Sequence, residues 1–178
     1  MAGPRIPLQR DDEVAARGGD WGEVAPVGTT MGVAKGVPWR ARAVPALAAL
    51  GVGVAGYLTW VHYSGSPALC TGVGGCETVQ ASRYATVVGV PVALLGLVLY
   101  LGVLGLGLWR AAAWTTVPPL VPLALFGLTL AGTLYSAYLT YLELFVIGAI
   151  CPWCVASAAL VTALFALTTW DVVTPPPA

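Results

Sequence analysis

Residues 117–170 read VPPLVPLALFGLTLAGTLYSAYLTYLELFVIGAICPWCVASAALVTALFALTTW, and this stretch is apolar almost throughout. A single helix of that length would extend for about 80 Å, whereas about 20 residues are enough to cross the hydrocarbon core of a bilayer. The stretch must therefore fold back on itself. Glu143, Gly148 and Pro152 lie close together near its middle, so we predict two spans, at 117–142 and 151–170, joined by a turn.

The composition of the whole chain agrees with a protein that lies in lipid. Hydrophobic residues make up 58% of the 178 residues and charged residues only 9%, against about a quarter in soluble domains. Two more apolar segments, 43–61 and 87–109, are long enough to span a bilayer. The charges of the basic and acidic residues cancel, so the chain has no excess of positive charge that would attract nucleic acid. We therefore predict an all-α integral membrane protein with four transmembrane helices.

The two ends of the chain are predicted to be tails. Residues 1–40 hold five of the eight acidic residues and no apolar run of even ten residues, which is typical of a solvated segment. This segment also lacks the apolar core of a secretory signal peptide, so we expect the first span to remain as an anchor. The membrane domain is predicted at 41–171 and a short C-terminal tail at 172–178.

The basic residues near the span ends predict the orientation. Lys35, Arg40 and Arg42 precede the first span and Arg110 follows the second, whereas only Arg83 lies in a loop on the other side. Basic residues favour the cytoplasmic side. Both termini are therefore predicted in the cytoplasm. The loop at 62–86 is predicted to face outside, and we name it the exported loop after this prediction.

All four cysteines lie on the predicted exported side. Cys70 and Cys76 flank a glycine-rich stretch of the exported loop, and closing so small a ring stabilises a fold little, so this pair suits repeated opening and closing. Cys151 and Cys154 form a CPWC motif where the fourth span begins. Pro152 suits the first helical position, which makes Cys151 a plausible N-cap. A helix N-terminus favours the thiolate, the species that attacks in disulfide exchange.

Other interpretations of these cysteines stay open at this point. Four cysteines can bind tetrahedral zinc, although zinc sites more often use two CxxC pairs. Two structural disulfides would also persist on an oxidising side of the membrane. Haem attachment is disfavoured because Val155, not His, follows CPWC. A redox relay is the favoured interpretation.

Two polar residues lie near predicted span ends. Glu143 is expected to be solvated at the outer turn; the alternative is a carboxylate within the membrane on a proton path. His62, the only histidine, is expected at the membrane interface and not in a proton relay.

A family resemblance is carried by two runs, CTGVGGCETVQASRYATVVGVPVALLGLVLYL at 70–101 and YLELFVIGAICPWCVASA at 141–158. Together they resemble bacterial members of the vitamin K epoxide reductase family over roughly residues 43–170. The order of the cysteine pairs separates the chain from the disulfide-bond protein B family, which places CxxC in its first loop.

This resemblance implies a four-helix bundle around a quinone, ubiquinone or menaquinone, in a bacterial inner membrane. A short half-helix in the exported loop, expected at 77–84, would cap the quinone site. Ser82 matches a small hydroxyl residue of the family and is expected to position the quinone ring. The pocket for that ring is expected beside Cys154, between the second, third and fourth spans.

The resemblance also implies a role for each cysteine. Cys70 would exchange with an exported thioredoxin-like protein, Cys76 would pass electrons to Cys151, and Cys154 would reduce the quinone. Some family members carry a fused thioredoxin-like domain, and because this chain ends without one, a separate partner is expected. The implied function is thiol oxidation in support of disulfide formation; the alternatives are a quinone or vitamin K epoxide reductase proper, or a four-span scaffold with structural disulfides.

Overall fold

A computed structural model describes residues 38–70, 75–113 and 116–174. Residues 1–37 of the predicted N-terminal tail and residues 175–178 of the predicted C-terminal tail lie outside these ranges. Within them, four helices are long and apolar enough to cross a membrane. These are α1 (Trp39–Ser64), α3 (Val92–Ala112), α4 (Leu120–Leu142) and α5 (Pro152–Val173). The prediction of an all-α, four-span membrane protein is confirmed.

The half-helix of the exported loop is shorter than the predicted 77–84. It consists of α2 (Cys76–Gln80), and a 3-10 turn (Arg83–Ala85) follows. Ser82 separates the two because its backbone is extended, with φ −68° and ψ 150°. Its hydroxyl donates a hydrogen bond to the carbonyl oxygen of Val79 at 2.7 Å, a local bond of the kind that competes with helix continuation.

A short β-hairpin with a two-residue turn precedes the second span, which therefore starts later in the sequence than predicted. Strand β1 (Thr86–Val87) pairs antiparallel with strand β2 (Val90–Pro91). The turn residues Val88 and Gly89 have φ of 51° and 81°, the left-handed values that this short connection requires. Helix α3 therefore begins at Val92 and not at the predicted residue 87.

The centre of the bundle is held by close packing between α1, α3 and α5. Tyr100 of α3 is buried and lies directly against Gly51 of α1, where a Cβ atom would overlap its ring. The Tyr100 hydroxyl donates a hydrogen bond to the carbonyl oxygen of Ser157 in α5 at 2.8 Å. Gly51 thus lets α1 approach a large side chain that links α3 to α5.

An ion-pair cluster holds one end of the bundle together. Asp171 of α5 is buried, and its carboxylate lies 2.5 Å from the Arg110 guanidinium of α3 and 3.6 Å from that of Arg40 in α1. A buried carboxylate is tolerated when such partners compensate its charge. Two of the arginines that predict the orientation therefore meet at one end of the bundle, and the cysteines lie at the other.

Candidate active site

The CPWC motif begins α5 in the predicted way. Cys151 is the N-cap and Pro152 is the first helical residue. Both cysteines of the motif are free thiols; Cys151 is fully buried and Cys154 is partly buried. A hydrogen bond from the Cys154 thiol, helped by backbone N–H groups of Cys154 and Trp153, lowers the pKa of Cys151 to about 7. The N-cap sulfur is thus prepared to act as a thiolate near neutral pH.

The loop cysteines form the second pair. Cys70 and Cys76 are joined by a disulfide with their Cα atoms 6.4 Å apart. Cys76 is fully buried at the start of α2, whereas Cys70 is partly exposed. A separate protein can therefore reach Cys70 more readily than Cys76.

A backbone hydrogen bond docks the loop pair onto the CPWC motif. The Gly75 N–H donates to the carbonyl oxygen of Ile150 at 3.0 Å. These two residues immediately precede Cys76 and Cys151, so the bond places the two buried cysteines at adjoining turns. A Cβ atom at Gly75 would overlap that of Ala149, which explains why glycine occupies this position.

A second contact fixes the other cysteine of each pair. The Trp153 indole N–H donates to the carbonyl oxygen of Leu69 at 3.0 Å, and the Leu69 N–H donates to the Tyr57 hydroxyl at 2.8 Å. The Tyr57 and Trp153 rings pack with centroids 5.0 Å apart. Leu69 precedes Cys70 and Trp153 precedes Cys154. Sequence reasoning missed this clamp, although the tryptophan between the two cysteines was a visible signal.

The expectation that Glu143 is solvated is wrong. The chain continues beyond α4 as a π-helical turn (Glu143–Ile147) that ends at Gly148, whose φ is 67°. This turn directs Glu143 inward, where it is only 5% exposed. Its carboxylate accepts a hydrogen bond from the Cys151 N–H at 3.2 Å and lies within hydrogen-bonding reach of the Cys154 thiol.

A cavity of about 320 Å³ opens beside Cys154. Its walls come from all four spanning helices and from the exported loop, which contributes Ser82 and Tyr84 among others. The expected pocket lies between the second, third and fourth spans, below the half-helix of the loop; the structure adds α1, through Ala55 and Leu58.

The cavity suits a flat apolar molecule. Its volume lies in the range of small-molecule sites, and its lining is largely aliphatic. Among the described residues that line it, Glu143 is the only carboxylate and none is Lys, Arg or His. The Ser82 hydroxyl hydrogen is already used by Val79, so this oxygen can offer a ligand only its lone pairs. The lining therefore fits the apolar ring of a quinone, with the Cys154 sulfur in the wall.

No group of three or more His, Cys, Asp or Glu residues is placed to hold a metal ion within the described ranges 38–70, 75–113 and 116–174. Around the CPWC motif, the described groups are the two thiols, the Glu143 carboxylate and the loop disulfide, arranged beside the cavity.

The fold and the site define a class of protein: a multi-pass membrane protein with two cysteine pairs at one end of a four-helix bundle. The family model of the Vitamin K epoxide reductase family matches residues 42–169, and the chain belongs to that family of oxidoreductases. It is also 36% identical over 127 residues to thiol-disulfide oxidoreductase LTO1 of Arabidopsis thaliana. That match covers 65% of this chain and 32% of the relative, so the chain corresponds to about a third of the relative's length.

Proposed function

We propose that this protein oxidises an exported thioredoxin-like protein and passes the two electrons to a membrane quinone, in support of disulfide formation. Membership of the family and the likeness to a thiol-disulfide oxidoreductase support the thiol chemistry. The observation that carries the proposal is the hydrogen bond from Gly75 to Ile150, because it brings the buried cysteine of each pair to adjoining turns.

The first step takes place at the partly exposed Cys70. A thiolate of the partner attacks the Cys70 sulfur, the bond between Cys70 and Cys76 breaks, and Cys76 leaves as a thiolate. The second thiol of the partner then attacks its own sulfur in the mixed disulfide and releases Cys70. The partner has lost two electrons, and the loop pair has gained them as two thiols.

The second step moves the electrons inward. When Cys151 and Cys154 are joined, the Cys76 thiolate attacks the Cys151 sulfur and Cys154 leaves. Cys70 then attacks Cys76, which restores the loop disulfide and leaves Cys151 and Cys154 as two thiols. The docking of Gly75 on Ile150 supports this route, since Cys76 and Cys151 are the cysteines next to the contact.

The third part of the proposal concerns the cavity beside Cys154. A quinone, ubiquinone or menaquinone, would supply an acceptor for two electrons and two protons. The residues that would hold it are the aliphatic lining of α3 and α4, with Ser82 and Tyr84 of the exported loop above. The same lining places apolar groups beside Cys154, which favours electron transfer to a lipid-soluble molecule.

The proposed location is a bacterial cell membrane, with both termini in the cytoplasm and the four cysteines on the exported side. Support comes from the arginine cluster on Asp171, which lies at the end opposite the cysteines. Cysteine-free reporters fused after Arg110 and after Trp170 should report the cytoplasm, and one inserted in the exported loop should report the outside. An outside signal after Arg110 would contradict the orientation.

Purified protein tests the function directly. A reduced thioredoxin-like protein is mixed with the enzyme, with and without added ubiquinone or menaquinone, and the free thiols of the partner are counted. We expect oxidation of the partner to continue beyond one turnover only when quinone is present. In Cys154→Ser, added quinone should give no such continued oxidation. Thiol oxidation at the same rate without quinone would contradict the assignment of the acceptor, and no oxidation under any condition would favour a structural role for the disulfides.

A further inference from the structure

Glu143 is a buried carboxylate that the proposed relay does not use. It is 5% exposed and lies at the point where the π-helical turn meets the start of α5. Its oxygen atoms face both cysteines of the CPWC motif: one accepts the backbone N–H of Cys151 at 3.2 Å, and the carboxylate is within hydrogen-bonding reach of the Cys154 thiol. It also lines the cavity beside Cys154.

The redox state of the cysteine pair decides how many donors this carboxylate has. In the dithiol state with Cys151 protonated, it can accept two hydrogen bonds, one from the Cys151 N–H and one from the Cys154 S–H. Above the pKa of Cys151, the same thiol hydrogen is donated to the Cys151 thiolate instead. In the disulfide state the Cys154 sulfur carries no hydrogen, so one of the two donors is lost. A buried carboxylate is tolerated only when donors or positive charges compensate it. Formation of the disulfide therefore removes part of what keeps Glu143 ionised.

The surroundings offer nothing to replace that donor with a positive charge. Around the cavity, the described titratable side chains other than Glu143 are Tyr84, Tyr100, Tyr135 and Cys154, and none of the described lining residues is Lys, Arg or His. The Tyr100 hydroxyl already donates to Ser157. With no positive charge nearby, taking up a proton is the direct way for Glu143 to lose its uncompensated charge.

We infer that Glu143 takes up the proton of Cys154 when Cys151 and Cys154 form a disulfide and gives it back when that disulfide is reduced. The inference deepens the proposed function and rests on it, since it concerns the same cysteine pair. Oxidation of the pair breaks two S–H bonds, forms one S–S bond and releases two protons and two electrons. The electrons go to the oxidant, one proton goes to Glu143, and the Cys151 proton leaves to solvent. Glu143 thereby keeps in the site a proton that Cys154 regains when the disulfide is reduced.

The test uses the full chain carrying Cys70→Ser and Cys76→Ser, so that CPWC is the remaining pair, in mixtures of reduced and oxidised glutathione. Oxidised glutathione accepts two electrons and becomes two molecules of reduced glutathione. These two thiols carry the two protons that the protein thiols lose. Uptake of a further proton by Glu143 makes the equilibrium constant for protein disulfide formation rise as the pH falls, by up to about tenfold for each unit. The range of about pH 5 to 6 is chosen because Cys151 is mostly protonated there, below its pKa of about 7.

Glu143→Gln is the decisive variant. Its amide oxygen can still accept the Cys151 N–H, but it cannot take a proton, so its equilibrium constant should not change with pH over this range. Glu77→Gln is the matched control, because Glu77 is an exposed carboxylate of the exported loop; it should keep the pH dependence of the unsubstituted background. A constant that is independent of pH in the unsubstituted background, or a dependence that survives in Glu143→Gln, would overturn the inference.

Infrared spectroscopy gives a second measurement that does not depend on folding of the Glu143 variant. The carbonyl stretch of a protonated carboxyl group should appear when the pair is oxidised and disappear when it is reduced. The control variant Glu77→Gln should show the same band. Absence of this band from the oxidised-minus-reduced spectrum would overturn the inference. Neither measurement contains a quinone or a thiol partner, so failure of the quinone assignment leaves this result unaffected, and the converse also holds.

Discussion

Replacing Gly75 by Ala should move the exported loop away from the start of α5. The backbone at Gly75 has φ −84°, a value that alanine adopts without strain, so the substitution does not act through backbone conformation. It acts through space: the new Cβ atom would overlap the Cβ atom of Ala149 and lie 3.4 Å from its Cα atom. The hydrogen bond from Gly75 to Ile150 is made at this same point of contact.

The size of the effect follows from the cost of overpacking. One extra carbon forced into a packed contact costs about 1–3 kcal/mol. If the docked loop carries that cost and the undocked loop does not, docking weakens by about 5- to 140-fold. The exchange between Cys76 and Cys151 requires the docked loop, because a disulfide needs Cα atoms within about 7 Å. The equilibrium constant of this exchange should fall by up to the same factor.

The assay isolates this single exchange. With Cys70→Ser and Cys154→Ser in the background, Cys76 and Cys151 are the only cysteines left in the chain. The protein is equilibrated in glutathione buffers, remaining thiols are blocked, and the fraction bridged is read by mass spectrometry. The equilibrium constant against glutathione reports how strongly the loop is held on the helix.

A compensating substitution separates the contact from general damage. Ala149→Gly removes the atom that the new Cβ atom meets, so Gly75→Ala with Ala149→Gly should recover most of the lost equilibrium. Gly53→Ala is the control, because a Cβ atom there meets nothing within 4 Å; it should leave the exchange unchanged. If Gly75→Ala bridges Cys76 and Cys151 as readily as the parent does, the docking argument is refuted.

Three further results are expected. Cys154→Ser should abolish quinone reduction by reduced protein; turnover at the parent rate would show that another sulfur delivers the electrons. In Cys76→Ser treated with oxidised glutathione, a partner that keeps only its attacking cysteine should be trapped in a disulfide with Cys70, since neither Cys76 nor a second partner thiol is there to break it. Mass spectrometry that finds an adduct on Cys76, in Cys70→Ser, and none on Cys70 would reverse the two roles. Because its pKa is lowered from 9.0 to about 7, reduced Cys151 should be half thiolate near pH 7, against about 1% for an unshifted thiol. Ultraviolet absorbance of the thiolate, followed against pH in protein whose loop cysteines are replaced by serine, should show this step; its absence below pH 8 would contradict the assignment.

Hydropathy and local rules are enough to predict the helices and the redox motif. Long apolar segments can cross lipid only as helices, since every backbone polar group must be satisfied internally; four such segments therefore predict four spanning helices. The role of Cys151 as N-cap follows from Pro152 alone, because proline is suited to the first turn of a helix. The family resemblance follows from the order and spacing of the two cysteine pairs, and the match over residues 42–169 confirms it.

Contacts between distant segments cannot be predicted in this way. Nothing in the sequence near Tyr57 or Leu69 indicates that the Trp153 indole donates to the Leu69 carbonyl oxygen, or that the Leu69 N–H donates to the Tyr57 hydroxyl. The prediction for Glu143 is wrong for a related reason: whether a carboxylate at a helix end is solvated depends on the path of the next turn. Here a π-helical turn and the left-handed Gly148 direct it inward, and periodicity in the sequence does not reveal either.

The contacts that dock the exported loop leave the sulfur atoms free to change partners. The bond from Gly75 to Ile150 joins two backbone groups, and the bond from Trp153 to Leu69 joins an indole to a backbone carbonyl. Neither uses a cysteine sulfur, so neither has to break when one disulfide is exchanged for another. A loop held in this way keeps Cys76 beside the start of α5 throughout the proposed relay. Exchange between the pairs then requires rotation of buried side chains, and only the partly exposed Cys70 has to meet a protein from outside.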